Sequence, residues 1–313
     1  PCIDTLLAIL PSTDFDAIHV MRAYLAPYIV PLLLAARKSG AQTSLDLDDD
    51  ESLTHARFAS LLESLGRTDE ARLESAEAAK YMRLDATWLA YFERVLVCTP
   101  EHARRLAEDH PRTRTDIVTN HVPLPRLLPR WPHRGRHILF VGNLSYLPNV
   151  LGLLDFVRHS LPRIRSVLGS TVTLRIAGGS PAGEVLALAG QVGIQLVANP
   201  PDLARHYRWA DLAIVPVNAG GGTRIKLIEA FAHCVPVVST SIGAEGIPAV
   251  DDLHLRLADS HEVFADACIE LLTDASKARQ LARQARDFIE AGLSRPTGLA
   301  RIRAILAPRQ PSA

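Results

Sequence analysis

Short runs of β-branched and other apolar residues alternate with longer helical patterns along the chain, and this alternation restricts the possible folds most. It is typical of parallel β-sheets whose strands are connected by helices. The alternation predicts strands at residues 17–21, 43–47, 94–98, 116–119, 137–141, 172–177, 194–197, 212–217 and 235–239. Helices are expected after Pro27, over 52–91 with a break near Gly66, over 101–108, and over 259–306 with a break near 292–296. The sequence therefore predicts an α/β fold.

A proline-rich stretch divides the chain into two predicted domains. Residues 122–133 include prolines at 123, 125, 129 and 132, and proline disrupts both helix and strand. The length of 313 residues also favours about two domains. We expect domains at 1–130 and 131–313, with the last helix, 296–306, bracing the first. Because residues 1–10 have a helical pattern in place of a strand and glycine loop, we expect the first domain to be incomplete at its start.

Composition and charge exclude several classes of protein. With 34 basic and 34 acidic residues and 48% hydrophobic residues, the chain is neither disordered nor a general nucleic-acid binder. No apolar run reaches the length that spans a bilayer. The four cysteines form no CxxC pair, so neither a zinc site nor a disulfide framework is expected. A reducing, cytoplasmic location fits best, and contact with the inner face of a membrane stays open.

The strongest local motif is the segment 212–234, in which an apolar strand leads into three glycines and then a helix. Glycines at 220–222 let a ligand approach the backbone, and Thr223 is expected to cap the helix. The amides of a helix's first turn carry about half a positive charge and bind anions, phosphate above all. Arg224 and Lys226 add two cations in the same turn, so the motif predicts a diphosphate site.

Polar residues at helical spacing follow the same motif. Gly222, Lys226, Glu229 and His233 fall on one face, and the apolar residues between them imply burial on most sides. A polar stripe on a buried helix indicates a ligand, and Glu229 is placed to accept hydrogen bonds from the two hydroxyls of a ribose. The plain alternative is a Lys226–Glu229 pair worth about 0.2–0.5 kcal/mol beside an ordinary glycine loop.

Further candidates follow other predicted strands, at the edge where α/β sheets bind ligands. In the second domain, one predicted strand is followed by Gly142 and Asn143, and a second is followed by Gly178. Glu245 lies in a loop past a third predicted strand. The first half offers two candidates. One is Asp48, which lies in an acidic run, and the other is His121, which lies in the loop before the proline stretch. The sequence has no GxxxxGK[ST] motif and no GxGxxG after a strand, so a kinase, a GTPase or an ordinary NAD enzyme is not expected.

Residues 220–247, GGGTRIKLIEAFAHCVPVVSTSIGAEGI, resemble the donor-site signature of family 4 glycosyltransferases of the GT-B type. The resemblance covers nearly the whole chain. Segments similar to that family's two domains lie at 15–28, 94–106, 116–125, 137–150, 174–179 and 197–217. The resemblance implies two Rossmann-like domains that face each other across a cleft, the first of them shortened at its start.

The resemblance also implies a function. The family transfers a sugar from a nucleotide-diphosphate sugar to an acceptor hydroxyl, with retention at the anomeric carbon and with neither metal nor cofactor. Glu229 matches the second glutamate of the family's E-x7-E motif, which holds the ribose, whereas Gly221 stands in place of the first. The loop at 143–149 lacks the cation that the family supplies to the diphosphate, so Arg224 and Lys226 are expected to supply that charge.

These inferences define the expected site and its partners. Arg224 and Lys226 are the predicted catalytic cations, with no metal ligand. Predicted donor contacts are Gly142, Asn143, Gly178, Gly220, Gly221, Gly222, Thr223, Glu229 and Glu245, and Asp48 and His121 are predicted on the acceptor side. The expected partners are a nucleotide sugar and a glycan or lipid-linked acceptor, in glycan or polysaccharide assembly, and no nucleic acid. A nucleotide-sugar 2-epimerase-like isomerase and a non-catalytic donor-binding fragment stay open as alternatives.

Overall fold

The structure, a computed structural model, describes residues 5, 15–29, 32–34, 40–125 and 136–307. The chain forms two compact units. The first comprises Pro1–Asn120, Gly220–Thr223 and Pro296–Ala313, and the second comprises His121–Ala219 and Arg224–Arg295. The second unit thus begins at His121, and residues 296–313 group with the first unit. The domain bounds 1–130 and 131–313 stay a prediction. The helical pattern predicted at 1–10 and the prolines at 129 and 132 fall on residues that the structure, apart from Thr5, does not describe.

The first unit contains a sheet of four parallel strands in the order β1-β2-β3-β4. The strands are β1 Ala17–Met21, β2 Gln42–Asp46, β3 Arg94–Val97 and β4 Thr115–Ile117, and the helices are α1 Glu51–Ser64, α2 Thr68–Trp88 and α3 Pro100–Asp109. Short 3₁₀ turns lie at Ala23–Ile29 and Leu89–Tyr91. Gly66, with φ of +72°, separates α1 from α2 as predicted. Pro27 lies inside the first 3₁₀ turn, and the helix expected after Pro27 is confirmed at the described residues 32–34.

The second unit contains six parallel strands in the order β10-β9-β8-β5-β6-β7. The strands are β5 His137–Val141, β6 Thr173–Gly178, β7 Ile194–Ala198, β8 Leu212–Val215, β9 Val237–Ser239 and β10 Arg256–Leu257. The chain builds outward from β5 in one direction and from β8 in the other. This is the strand order of doubly wound nucleotide-binding folds, in which the ligand binds where the order reverses.

Helices cover both faces of the second sheet. They are α4 Leu147–Asp155, α5 Leu161–Leu168, α6 Gly183–Leu186, α7 Ala204–Trp209, α8 Ile225–Ala232, α9 Ser241–Ala244, α10 His261–Thr273 and α11 Ala275–Gly292. A further helix, α12 Arg295–Leu306, starts at the last residue of this unit and groups with the first unit from Pro296 onward. Alternate residues of β5 enter different cores: Ile138 and Phe140 pack with α4, α5 and α10, whereas Leu139 and Val141 pack with α8 and α11. Burial of both faces explains why the strand has a continuous apolar sequence.

Two elements of the second unit differ from the sequence prediction. β10 was not predicted, because its two residues are too few to show a strand pattern. The predicted helix after residue 259 is interrupted at Asp274, which ends α10 and caps α11 by accepting hydrogen bonds from the amides of Ser276 and Lys277, both at 2.9 Å. Aspartate is a common N-cap residue, so this break had a signal in the sequence.

Gly178 permits a close approach between the ends of β5 and β6. A β-carbon on Gly178 would overlap the carbonyl oxygen of Gly142, which belongs to the backbone and cannot rotate away. The neighbouring Gly179 has room, since a β-carbon there would lie 3.6 Å from Oδ1 of Asn199. Gly178 is therefore required for packing at the carboxyl edge of the sheet, whatever it contributes to a ligand.

The alanine substitution Gly178→Ala should lower the free energy of unfolding by about 1–3 kcal/mol, because the overlap forces a backbone shift. Urea unfolding followed by circular dichroism measures this loss. Gly179→Ala is the matched control, and its free energy of unfolding should stay close to that of the unsubstituted protein. Equal stability of the two variants would show that the strand ends can separate without cost.

Candidate functional site

The candidate site lies in the second unit, where the strand order reverses between β5 and β8. Gly142 follows β5, and residues 216–219 follow β8 before the glycine loop and α8. Parallel strands present their carboxyl ends at one edge, so both loops emerge there. The fold thus places the predicted glycine motif at the position where such sheets bind ligands.

The start of α8 differs from the prediction by one residue. Arg224 is the N-cap residue, no side chain caps the helix, and α8 begins at Ile225, so the predicted cap at Thr223 is wrong. Gly222, with φ of +66°, precedes the helix and does not belong to its polar stripe. The amide of Leu227 donates to the carbonyl of Arg224 at 2.8 Å, whereas no described residue accepts a hydrogen bond from the amides of Ile225 and Lys226. Such uncapped amides favour an anion.

The glycine loop 220–223 groups with the first unit and contacts polar side chains there. Nη1 of Arg57 donates to the carbonyl of Gly220 at 2.7 Å. A β-carbon would lie 2.8 Å from Oδ1 of Asp49 if placed on Gly221, and 2.6 Å from the same oxygen if placed on Gly222. A glutamate at position 221 would therefore crowd this carboxylate unless the Asp49 side chain moved. Because a carboxylate lies beside the loop, an anion meets less repulsion at α8 than at the glycines. The predicted donor contacts of Gly220, Gly221 and Gly222 stay predictions.

Lys226 extends from α8 to the loop after β5. Its Nζ donates to Oδ1 of Asn149 at 2.5 Å and lies 4.9 Å from the centroid of the Phe140 ring. Asn149 in turn donates through Nδ2 to the carbonyl of Asn143 at 2.8 Å. A β-carbon on Gly142 would lie 3.1 Å from this Nζ. The loop that lacks a cation of its own is thus supplied with one by α8.

The charge on Lys226 is destabilised in the free protein. Burial of the ammonium and, to a smaller extent, the positive charge of Arg224 together lower the pKa of Lys226 to about 7. Arg224 is only 8% exposed, and its Nη2 donates to the carbonyl of Ala219 at 3.3 Å. Two neighbouring cations that repel each other favour binding of an anion, because an anion restores the lost solvation.

Glu229 lies one turn further along α8 and is held by Tyr207. The hydroxyl of Tyr207 donates to Oε2 of Glu229 at 3.0 Å, and its ring stacks on His233 with centroids 4.7 Å apart. Burial raises the pKa of Glu229, and the hydrogen bond from Tyr207 opposes that rise. Lys226 and Glu229 form no ion pair within 4.0 Å, so the plain alternative of an i, i+3 pair is wrong.

The other predicted residues are spread over both units. Glu245 follows α9, past the carboxyl end of β9. Asp48 lies in the first unit with φ of +60° and pairs with Nη2 of Arg22 at 2.6 Å. His121 lies in the second unit, next to the bridge between Val122 and Ser294. Their roles stay predictions.

Two polar residues of the site were not predicted from the sequence. Asn149 holds Lys226, and Tyr207 holds Glu229. Neither stands at a spacing that connects it with its partner, since the contacts join residues 77 and 22 positions apart. Only the fold brings these pairs together.

The described ranges contain neither a metal site nor a membrane span. No group of three His, Cys, Asp or Glu side chains there is arranged to hold a metal ion. Nor does that part of the chain contain a helix with the length and apolar character of a membrane span.

The second unit also matches a known family by sequence. Residues 135–274 match the glycosyl transferases group 1. The matched segment includes β5, α8, Lys226 and Glu229, so the resemblance found in the sequence is confirmed over the residues that form the candidate site. A curated relative, an uncharacterized 44.6 kDa protein in the cps region of Klebsiella pneumoniae, is 27% identical over 183 residues. The match covers 55% of this chain and 47% of that protein.

Solved structures show the same fold at low sequence identity. A variant of S. aureus TarM in complex with Fondaparinux, alpha-GlcNAc-glycerol and UDP superposes with a TM-score of 0.74 at 14% identity, covering 98% of this chain and 58% of TarM. Sucrose-phosphate synthase from Thermosynechococcus elongatus superposes with a TM-score of 0.71 at 16% identity, covering 97% of this chain and 76% of the synthase. HepE from Anabaena in complex with UDP and glucose superposes with a TM-score of 0.70 at 12% identity, covering 98% of this chain and 81% of HepE.

These structures are GT-B glycosyltransferases, and the predicted fold class, an α/β GT-B fold with Rossmann-like domains, is confirmed. The chain spans about half the length of the curated relative and less than two thirds of TarM.

Proposed function

We propose that this chain transfers a sugar from a nucleotide-diphosphate sugar to the hydroxyl of a glycan or lipid-linked acceptor. The observation that supports this proposal most is the start of α8, where Lys226, with a pKa lowered to about 7, lies near Arg224 and beside uncapped amides. The match of residues 135–274 to glycosyl transferases group 1 supports the same reaction class. UDP is the first nucleotide to test, because TarM and HepE have been solved with it.

The proposed reaction breaks the bond between the anomeric carbon and the diphosphate oxygen. The electron pair of that bond stays on the leaving nucleoside diphosphate, and the acceptor oxygen forms the new bond and passes its proton to the departing diphosphate oxygen. Negative charge therefore grows on the leaving group, and Lys226, Arg224 and the first amides of α8 stabilise it there. Preorganised charge of this kind acts in the transition state more than in the ground state.

We also propose that the reaction retains the anomeric configuration and needs no metal. Retention is carried over from the resemblance in residues 220–247. In the proposed mechanism, Lys226 and Arg224 supply the positive charge that a metal would otherwise give to the diphosphate. Glu229 binds the ribose hydroxyls, and the acceptor binds on the side of the first unit, where Asp48 is a candidate contact.

The proposed setting is glycan or polysaccharide assembly in the cytoplasm, with contact to the inner face of a membrane where the acceptor is lipid-linked. The relative from the cps region of Klebsiella pneumoniae supports an assembly role. Free thiols at Cys98, Cys234 and Cys268 fit a reducing compartment.

An assay with and without acceptor tests the proposed function against both alternatives. Nucleotide sugars are incubated with the protein and with a crude glycan or lipid fraction, and nucleoside diphosphate release is measured. Release that requires the acceptor, together with a glycosylated product, supports a transferase. Interconversion of the sugar without acceptor would instead identify an epimerase, and binding without turnover would identify a donor-binding fragment.

A further inference from the structure

Tyr207 is a buried tyrosine whose hydroxyl points at the one carboxylate of α8. The residue is 1% exposed, and its hydroxyl lies 3.0 Å from Oε2 of Glu229 and 3.3 Å from the carbonyl of Lys226. A buried hydroxyl needs a hydrogen-bond partner, and the carboxylate is the stronger acceptor of the two. The hydroxyl proton is therefore directed to Glu229.

His233 fixes the ring of Tyr207 from the other side. The two rings are nearly parallel, at 18°, and their centroids lie 4.7 Å apart. Nδ1 of His233 lies 2.8 Å from the backbone carbonyl of Glu229, and since a carbonyl only accepts, Nδ1 carries the proton. The histidine is thus anchored to the same turn that carries Glu229. Tyr207 cannot swing away without breaking this stack.

The arrangement leaves one oxygen of Glu229 for a ligand. Oε2 accepts the hydrogen bond from Tyr207, and no described residue donates to Oε1. A hydrogen bond at one oxygen restrains the carboxylate against rotation about its terminal bond, so one direction of its other lone pairs is favoured before a ligand arrives. Binding two vicinal hydroxyls requires such a fixed direction.

We propose that Tyr207 is a positioning residue that orients Glu229 toward the ribose hydroxyls of the donor and thereby makes the site selective for ribose over sugars that lack them. The inference rests on the proposed function, in which Glu229 binds the ribose. Tyr207 itself makes no contact with the donor in this proposal and acts only through the carboxylate.

The phenylalanine substitution Tyr207→Phe tests this role, because it keeps the ring and its stack on His233 and removes only the hydroxyl. Affinities for UDP and for 2′,3′-dideoxy-UDP are measured by calorimetry. Tyr207→Phe should lower the affinity for UDP about 5- to 10-fold, as expected for the loss of one hydrogen bond. The affinity for 2′,3′-dideoxy-UDP should not change. Tyr81→Phe is the control, since Tyr81 also stacks on a histidine, His55, but in the first unit; it should change neither affinity.

The pH dependence of UDP binding separates positioning from a structural role. Burial raises the pKa of Glu229 and the Tyr207 hydroxyl holds it down, so removal of that hydroxyl raises the pKa further. The pH below which UDP affinity declines should therefore move upward in Tyr207→Phe. In a Glu229→Gln background the same substitution should have almost no additional effect on UDP affinity.

The two proposals fail in different ways. If the unsubstituted protein binds UDP and dideoxy-UDP equally, the ribose role of Glu229 is wrong and the inference on Tyr207 is overturned with it. A second outcome is that the unsubstituted protein binds UDP more tightly than dideoxy-UDP, and Tyr207→Phe keeps both this preference and the pH dependence of UDP affinity. Only the role of Tyr207 is then overturned.

Discussion

Replacing Lys226 with methionine should lower the rate of sugar transfer by about 100- to 1000-fold, the usual effect of removing one preorganised group that stabilises a developing negative charge. Methionine keeps an aliphatic chain that can pack against Phe140 and lacks the ammonium that reaches Asn149. The loss should lie mainly in kcat, because charge on the leaving group is greatest in the transition state. Steady-state kinetics with saturating acceptor measures it.

Lys277→Met is the matched control for Lys226→Met. Lys277 lies in the same unit on α11, where its Nζ pairs with Asp252 and Glu270, both at 2.7 Å. Its replacement removes a lysine charge from the same domain and should leave kcat within about twofold, because its ion pairs are partly exposed. A Lys226→Met variant that keeps full kcat would show that this ammonium does not meet the leaving group.

The substitution Arg224→Gln should weaken UDP binding by about 10- to 100-fold, the range for a lost charged hydrogen bond, and should leave uridine binding nearly unchanged. Arg224 is the N-cap residue of α8 and is close enough to Lys226 to lower its pKa. A diphosphate bound at the start of α8 would meet both cations, whereas a nucleoside would meet neither. Calorimetric titrations with UDP and uridine give the two affinities.

Burial of Arg224 calls for a control that is equally buried. Arg286 on α11 is also 8% exposed, and it donates to the carbonyl of Ala232 at the other end of α8. Arg286→Gln should lower stability to a similar degree but should not change the ratio of UDP to uridine affinity. Equal losses of UDP and uridine affinity in Arg224→Gln would mean that Arg224 does not contact phosphate.

Much of the fold could be predicted because local patterns determine it. The predicted bounds of β1 and β5 equal those in the structure, Ala17–Met21 and His137–Val141. Both are apolar or β-branched runs bounded by polar or glycine residues, so the pattern has clear ends. The separation of α1 from α2 at Gly66 was equally clear, because glycine at positive φ ends helices.

The residues that surround the cations could not be predicted, because their contacts join distant parts of the chain. The Asp49 carboxylate beside Gly222 and the amide of Asn149 at Lys226 depend on chain crossovers rather than on spacing. The position of the helix start also deviated, since a threonine at 223 has the usual N-cap chemistry but Arg224 takes the N-cap position. The sequence pattern thus predicts the position of the motif but not the residues that surround it.

Proton uptake on UDP binding shows whether a diphosphate binds at Lys226. With a pKa of about 7, Lys226 is mostly neutral at pH 8 to 8.5 in the free protein. A bound diphosphate should raise this pKa toward that of an ordinary lysine, so the lysine takes up a proton in this pH range. Phosphate oxygens with a pKa of about 6 are already ionised there and contribute little.

Calorimetry of UDP binding at pH 8 to 8.5, in buffers with different ionisation enthalpies, counts the protons that are taken up. We expect close to one proton per UDP for the unsubstituted protein and for Lys277→Met, and close to none for Lys226→Met or for uridine. UDP binding without proton uptake, or with the same uptake in Lys226→Met, would contradict a diphosphate site at the start of α8.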